Sequence, residues 1–475
     1  MRRCIVVGCV CGLSAVVACS SSSGGSGGPD AGGQETSVQP DASGGDGGGD
    51  AAPDATACNG SVIPSTIASS MTLTAACSPW HLTGPSEVGD PNRPTAAPVL
   101  TIEPGVTILA DSGAVLQVGV SAYNQGGLVA VGTTSAPIVF TSSAATPTAG
   151  AWVGVVLGDK VLATSRLTNV EIDYAGATNG SSVSAALAIG EDTGQAIALP
   201  LSNVKAAHDR GYGILLDGPQ VRLGSGSAGL TVTDWGSGFA PIALAANQAD
   251  SLTGVSFSTG ATGHDGQIML VDAATDPQLV NRTQTWPPIA VPYLVQGAGI
   301  DIEAPGAGNG GGQTTLTIAG PNTVMFTNQT NGGATGIYVD ILSNGGANLV
   351  AANVTFTSSN TANPTAGSWG GISFNMTTAG LGNSSLTGCT FAHAGAGTNW
   401  STGESCTGVV LIDDRSNPNT TIAGPTISGC TFQGYLGDAI FVALPTTGGL
   451  TTSYASNTFA SSSTGVCTCQ NGTCM

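Results

Sequence analysis

The stretch Leu167-Thr-Asn-Val-Glu-Ile-Asp-Tyr-Ala-Gly176 decides the fold. It reads as an apolar residue, Ser or Thr, Asn or Gly, an apolar residue or Cys, any residue, then an apolar one. The same unit recurs at Leu201–Ala206, Leu252–Phe257, Leu386–Phe391 and Ile427–Phe432, and Asn353-Val-Thr-Phe356 lacks only the first apolar residue. Alternation on either side of the Asn or Gly predicts short strands with one face inward. Asn and Gly tolerate the left-handed backbone that a sharp bend between two strands requires. Stacked in register on successive coils, such Asn side chains can also hydrogen-bond one to the next. Strand, left-handed bend, strand and loop, repeated, is what a parallel β-solenoid needs, because each coil buries its inner face only against its neighbours.

The unit sits inside a longer duplication. Pro79–Gly84 returns as Pro292–Gly297, Leu100-Thr-Ile102 as Leu316-Thr-Ile318, Ile138–Ser143 as Val354–Ser359, and Leu167–Ile172 as Leu386–Phe391. Pro-Thr-Ala-Gly followed two residues on by Trp occurs at 147–152 and 364–369. The offset drifts only from 213 to 219 residues, so the copies are collinear with small loop changes. The expected division is 58–290 for a first copy with an N-terminal cap, and 291–475 for a second with a Cys-rich end. A tandem of β-sandwiches is the structural rival. It needs about seven alternating strands per 100 residues joined by Greek-key turns, whereas one strand type recurs through both halves here.

From Cys58 onward the chain has eight Lys or Arg against 23 Asp or Glu, and it is rich in Thr, Ser, Val, Gly and Asn. That composition disfavours helix, and no sustained 3.6-residue apolar period is present. The acidic balance argues against nucleic acid as a partner.

"LTIEPGV" (100–106), "APIVFTS" (136–142), "AGSWGGISF" (366–374) and "LTNVEIDYAG" (167–176) resemble the bacterial right-handed parallel β-helix proteins of the pectin-lyase-like class. The resemblance covers about 79–442 and implies a right-handed parallel β-helix; with the duplication and the N-terminal composition, the expectation is an all-β, right-handed parallel β-helix in two similar copies after a disordered N-terminal tether.

The chain's start implies export. Residues 1–18 read as a signal peptide: Arg2 and Arg3 precede an apolar run from Ile5 to Val17, too short to span a membrane convincingly. Val16-Val17-Ala18-Cys19 resembles the bacterial lipobox, which would make Cys19 the lipid-attachment residue. Acyl chains on Cys19 would hold the protein to a membrane without a transmembrane helix. Ser20, rather than Asp, favours an outer-membrane or cell-surface location by the same resemblance. Residues 19–57 are Gly, Ser, Asp, Pro and Ala with little that is hydrophobic, which suits a flexible tether. Eight cysteines then remain: Cys58, Cys77, Cys389, Cys406, Cys430, Cys467, Cys469 and Cys474. An even number in an exported chain reads as disulfides, with Cys58–Cys77 the natural pair in the cap. Cys389 and Cys430 hold the same place in the strand unit, which would bring them within disulfide reach on adjacent coils.

Chemistry is less legible. Pectin-degrading relatives carry calcium-binding Asp clusters with an Arg base, or three catalytic Asp with Gly-His-Gly and a basic triplet. This chain offers Gly263-His264-Asp265-Gly266, Leu411-Ile-Asp413-Asp414-Arg415, His208-Asp209-Arg210 and Thr233-Asp234-Trp235. Adjacent Asp413 and Asp414 on a strand would face opposite ways and could not form an acid/base pair. The catalytic candidates are therefore Asp413, Asp414, Asp265 and His264, each equally explained as a solvated turn residue. No metal site or cofactor is expected. Calcium would have to be structural and bound by loops, since no EF-hand or nonapeptide array is present. Trp152 and Trp369, at equivalent positions, are expected to pack, while Trp235, Trp286 and Trp400 are placed in loops where they could stack on sugars. The functional expectation is a lipid-anchored, non-catalytic β-helix that displays loops to glycans or other surface proteins. The alternative is a polysaccharide lyase or glycoside hydrolase on the same scaffold.

Overall fold

The computed structural model describes residues 58–475 except 59–60, 91, 93–95, 121–123, 179–183, 191–194, 256, 260–266, 271–276, 305–311, 328–334, 340–345, 376–382, 396–407, 414–420, 445–448, 451, 461–464, 471–472 and 475. The segments expected to be a signal peptide (1–18) and a tether (19–57, with Cys19) lie outside the described residues, as do Cys406, His264, Asp265, Asp414 and Trp400.

The chain is a parallel β-helix. A coil of the first copy uses three strands, for example Val99–Ile102, Thr107–Ala110 and Val115–Val118, and the next coil repeats them as Gly127–Val131, Ile138–Ser142 and Gly154–Leu157. Every described ladder is parallel except the last hairpin, Val466–Gln470 with Thr473–Cys474. Strand Arg166–Asp173 shows how the unit works. Leu167 pairs with Ala130 and Ile172 with Phe140, so one strand covers two positions of the coil below. Between these halves Asn169 takes φ 49°, and Asn203, its counterpart one coil on, takes φ 52°. Asn203 Nδ2 donates to Asn169 Oδ1 at 3.1 Å, and Asn169 Nδ2 donates to Gly132 O at 3.0 Å. This is the expected side-chain ladder. Inward residues Leu167, Val170 and Ile172 have no exposed surface, and each fully buried side chain of this size is worth about 1.5–3 kcal/mol. In the second copy the inward column is aromatic: Phe356, Phe391 and Phe432 stack at 5.2 and 4.9 Å.

One sheet of fourteen strands, from Thr66–Ile67 to Thr458–Phe459, runs through both copies, so the two form one continuous solenoid. The copies nevertheless enter it differently. In the first copy the strands after the left-handed bend belong to the ten-stranded sheet, and it is the third strand of each coil that joins the fourteen-stranded one. In the second copy the strands after the bend, Asn322–Phe326, Val354–Ser358 and Thr390–Ala392, continue the fourteen-stranded sheet themselves. The repeated motif has therefore advanced by one face of the coil. The handover lies where the ten-stranded sheet ends, at Phe257–Thr259, and a five-stranded sheet begins, at Gln284–Trp286.

That junction corrects two expectations. The unit at Leu252–Phe257 does not form a bent strand: a 3-10 helix, Ala246–Leu252, precedes a turn, and the strand starts only at Phe257, opposite Leu230. Trp286 is not in a loop. It ends a strand, is fully buried, and donates from Nε1 to Ala246 O at 3.2 Å, pinning the helix. Trp235 is likewise 5% exposed, too covered to offer a ring face to a sugar. Trp152 and Trp369 pack as expected: both are fully buried, and their Nε1 atoms donate to Asp173 O and Ala392 O at 2.9 and 2.8 Å.

Cys58 and Cys77 form a disulfide with Cα atoms 5.5 Å apart. Cys469 is disulfide-bonded and lies opposite Cys474 in the final hairpin, while Cys467 is a thiol. Cys389 and Cys430 depart from the expected cystine: they precede the paired residues Thr390 and Thr431, as predicted, but both are buried thiols. A parallel ladder sets facing Cβ atoms side by side at about 4.8 Å, wider than the roughly 3.5–4.5 Å a disulfide uses. The two thiols adjoin each other, and their sulfurs also approach Ala351 O at 3.5 Å and Leu386 O at 3.3 Å. The neighbouring sulfur and burial push the Cys389 thiol up.

Candidate functional site

A second left-handed column follows the strands of the first copy. Tyr174, His208 and Asp234 take φ of 59°, 58° and 58° on three successive coils, directly after Arg166–Asp173, Leu201–Ala207 and Leu230–Thr233. His393 and Gly434 hold this place in the second copy at 61° and 58°. Large side chains in this region are uncommon and mark a position where the surroundings dictate the backbone. Here the corner turns sharply, and the adjacent glycines permit close approach: a Cβ on Gly236 would run into Arg210 O.

On the outside of this corner the polar groups engage one another between coils. The Tyr174 and His208 rings stack at 4.8 Å, and His208 Nε2 lies 3.5 Å from Asp234 Oδ2. Three positions earlier on these coils, Lys205 Nζ lies 3.6 Å from Glu171 Oε2. Such exposed pairs are worth about 0–1 kcal/mol each. Burial raises the Asp173 carboxyl despite the opposing pull of Lys205.

Inside the corner is Asp209, only 1% exposed. Its Oδ1 accepts the Ala175 N–H at 2.9 Å, while Oδ2 is buried with no hydrogen-bond partner. Burial pushes this carboxyl well above the usual carboxylate range, against the smaller effect of the Ala175 N–H. Enclosed and accepting from the Ala175 N–H, this acid caps a backbone group rather than facing a ligand. Beside it a hollow of about 360 Å³ is lined by Asp209, Arg210, Asp234, Trp235 and Ser237.

The two sequence clusters His208-Asp209-Arg210 and Thr233-Asp234-Trp235 are thus one site, on neighbouring coils. Their common position after a bent strand was the available signal. Asp413 stands apart, half-buried at the end of Gly408–Asp413, with Asn375 and Ala443 as its register neighbours. Among the described residues no group of three or more His, Cys, Asp or Glu is arranged to hold a metal ion.

Fold and corner together define a parallel β-helix protein with a polar rung on its outer surface. Residues 66–187 match the model of the pectate-lyase-like beta helix domain, so the likeness covers the first coils and ends before His208. No curated protein matches the chain.

Proposed function

We propose that this is an exported, lipid-anchored β-helix that binds glycans without transforming them, through the outer rung of its first copy. The observation that carries the reading is the engagement of the carboxylates there. Glu171 faces Lys205, Asp234 faces His208, and Asp209 is enclosed, with burial pushing its carboxyl well above the usual range. Hydrolysis of a glycosidic bond by the usual two-carboxyl route needs two accessible carboxyl groups set about 5–9.5 Å apart around the bond to be cut. A hydrogen-bonding surface with a stacked Tyr–His pair suits recognition instead. The signal-like residues 1–18 and Cys19 support anchoring outside the cytoplasm, with the outer membrane as the proposed location.

The test is a panel of neutral oligo- and polysaccharides offered to the full chain, with binding and product release both measured. Binding without release, weakened in Tyr174→Ala and His208→Ala, is the expected result. A carbohydrate-active enzyme is the second reading, favoured by the 66–187 match and the 3.5 Å His208–Asp234 pair. Release of reducing or unsaturated ends, abolished in His208→Ala, Asp413→Ala or Asp265→Ala, would establish it and overturn the first. Acyl labelling lost in Cys19→Ala tests the anchor.

A further inference from the structure

At the junction between the copies lies a cleft of about 560 Å³, larger than the hollow beside Asp209. Its polar wall consists of Gln220, Arg222, Asn247, Gln248, Asn281 and Arg282, and among the described residues no acidic side chain lines it. In a chain of formal net charge −19 that wall is unusual. Its groups arrive from three successive coils: Arg222 from strand Val221–Leu223, Asn247 and Gln248 from the 3-10 helix, and Asn281 and Arg282 after strand Gln278–Val280.

The guanidinium groups are held by one carboxylate that is not part of the lining. Asp250 accepts from both terminal nitrogens of Arg282, at 3.0 Å from Nη1 and more closely from Nη2, and it accepts from Arg222 Nη2 at 3.3 Å. Arg282 is further fixed by Asn247 O and by Gln248 Oε1 at 3.4 Å. The amides are set in the same way: Asn247 Nδ2 donates to Asn281 Oδ1 at 3.0 Å, and Gln248 Nε2 donates to Pro219 O at 2.5 Å. Two guanidiniums share one carboxylate, so among the described residues one positive charge of this cluster has no carboxylate of its own. By contrast Lys205–Glu171 and His208–Asp234 are one-to-one pairs. A clamp that served stability alone would need one arginine. Arg222, bound to Asp250 by a single contact and 38% exposed in its side chain, keeps most of its fork for the cleft.

We propose that this cleft binds a phosphoryl group, with Arg222 as its main contact and Arg282, Asn281 and Gln220 around it. A guanidinium fork matches phosphate oxygens bidentately. Donors that converge from three coils, each about 4.8 Å above the last, surround a tetrahedral anion. A flat carboxylate would be satisfied by one fork. The excess positive charge favours an anionic phosphoryl group carried on a hydroxylated molecule, whose hydroxyls would meet the amides. This site is separate from the glycan-binding rung, and neither proposal depends on the other.

The experiment is calorimetric titration of the full chain with inorganic phosphate, glucose 1-phosphate and sodium acetate, and co-sedimentation with phosphatidylglycerol or phosphatidylcholine vesicles. Saturable binding of at least one phosphoryl probe is expected, falling at least tenfold in both Arg222→Gln and Arg222→Lys and unchanged in Arg166→Ala. Binding that prefers glucose 1-phosphate assigns the source to a soluble sugar phosphate. Binding confined to phosphatidylglycerol vesicles assigns it to a lipid headgroup, and both uphold the site. The proposal is overturned if no phosphoryl probe saturates, if acetate binds as tightly, or if Arg222→Gln binds like the parent. Gln220→Ala, which leaves the Asp250 clamp intact, must also weaken binding, so a folding defect in the arginine variants cannot stand in for the result.

Discussion

The left-handed column at Asn169, Asn203 and Gly229 makes a quantitative prediction about what each residue contributes. Asn203→Ala removes the 3.1 Å bond to Asn169 Oδ1. At a partly exposed position that bond is worth about 0.5–1 kcal/mol. The substitution also leaves a Cβ at φ 52° without the side chain that makes that conformation tolerable, adding about 1–2 kcal/mol. The expected loss is about 2 kcal/mol. Asn203→Gly loses the same bond but relieves the backbone, so it costs about 1 kcal/mol or less. One coil on, Gly229 has φ 64°, and a Cβ there would run into Asn203 Oδ1. Gly229→Ala therefore costs about 3 kcal/mol alone but about 1–2 kcal/mol in the Asn203→Gly background, where the obstructing amide is gone. Equilibrium urea unfolding of the four proteins closes the double-mutant cycle, with a coupling of about 1–2 kcal/mol. Additive losses, or an Asn203→Gly as damaging as Asn203→Ala, would refute the argument that the amide fills this column by backbone tolerance and contact with its neighbour.

Further expectations concern titration and sulfur. Asp209 is raised in the folded chain, so its neutral form supports the fold below the unfolded carboxyl pKa of about 3.9 and that support is lost as pH rises towards the folded value. Asp209→Asn should then melt close to the parent below pH 4 and increasingly above it by pH 7; a pH-independent difference contradicts this. Removing the Cys58–Cys77 bond, which spans 19 positions, should cost about 3 kcal/mol by the loop-entropy estimate, read from the denaturation midpoint of Cys58→Ser/Cys77→Ser. Cys389 and Cys430 are 1% and 0% exposed, so a thiol reagent should leave them unmodified in the native chain and label both in denaturant, as peptide mass mapping would report.

Much of the architecture was legible because a solenoid writes its geometry locally. The inward positions Leu167, Val170 and Ile172, the bends at Asn169 and Asn203, and the packing of Trp152 and Trp369 all follow from residues within a few positions of one another. What could not be read is the relation between coils that differ. Trp286 has loop-like neighbours, Pro287 and Pro288, and only the stacking of its coil on the 3-10 helix shows that it is buried. Cys389 and Cys430 have the right register for a cystine, yet strand spacing, which no spacing in sequence reports, leaves them as thiols. His208 and Asp234 lie 26 positions apart, and their meeting depends on the length of one particular coil.

The junction shows why function on such a scaffold gathers where regularity fails. Within either copy a polar side chain finds its partner directly above or below, as Asn203 finds Asn169 and Lys205 finds Glu171. That arrangement leaves few groups over for a ligand. When the motif advances by one face, strands of the ten-stranded sheet have no successor, and the helix Ala246–Leu252 must bridge the gap. It is held there from the following coil, since both Trp286 Nε1 and Gln284 Nε2 donate to Ala246 O. Side chains from three coils then meet out of register, which opens the cleft and lets two arginines share one aspartate. The unmatched charge is thus a consequence of joining two copies out of phase. A deletion that restored a single phase would be expected to close the cleft and abolish phosphoryl binding while leaving each copy's own ladders intact.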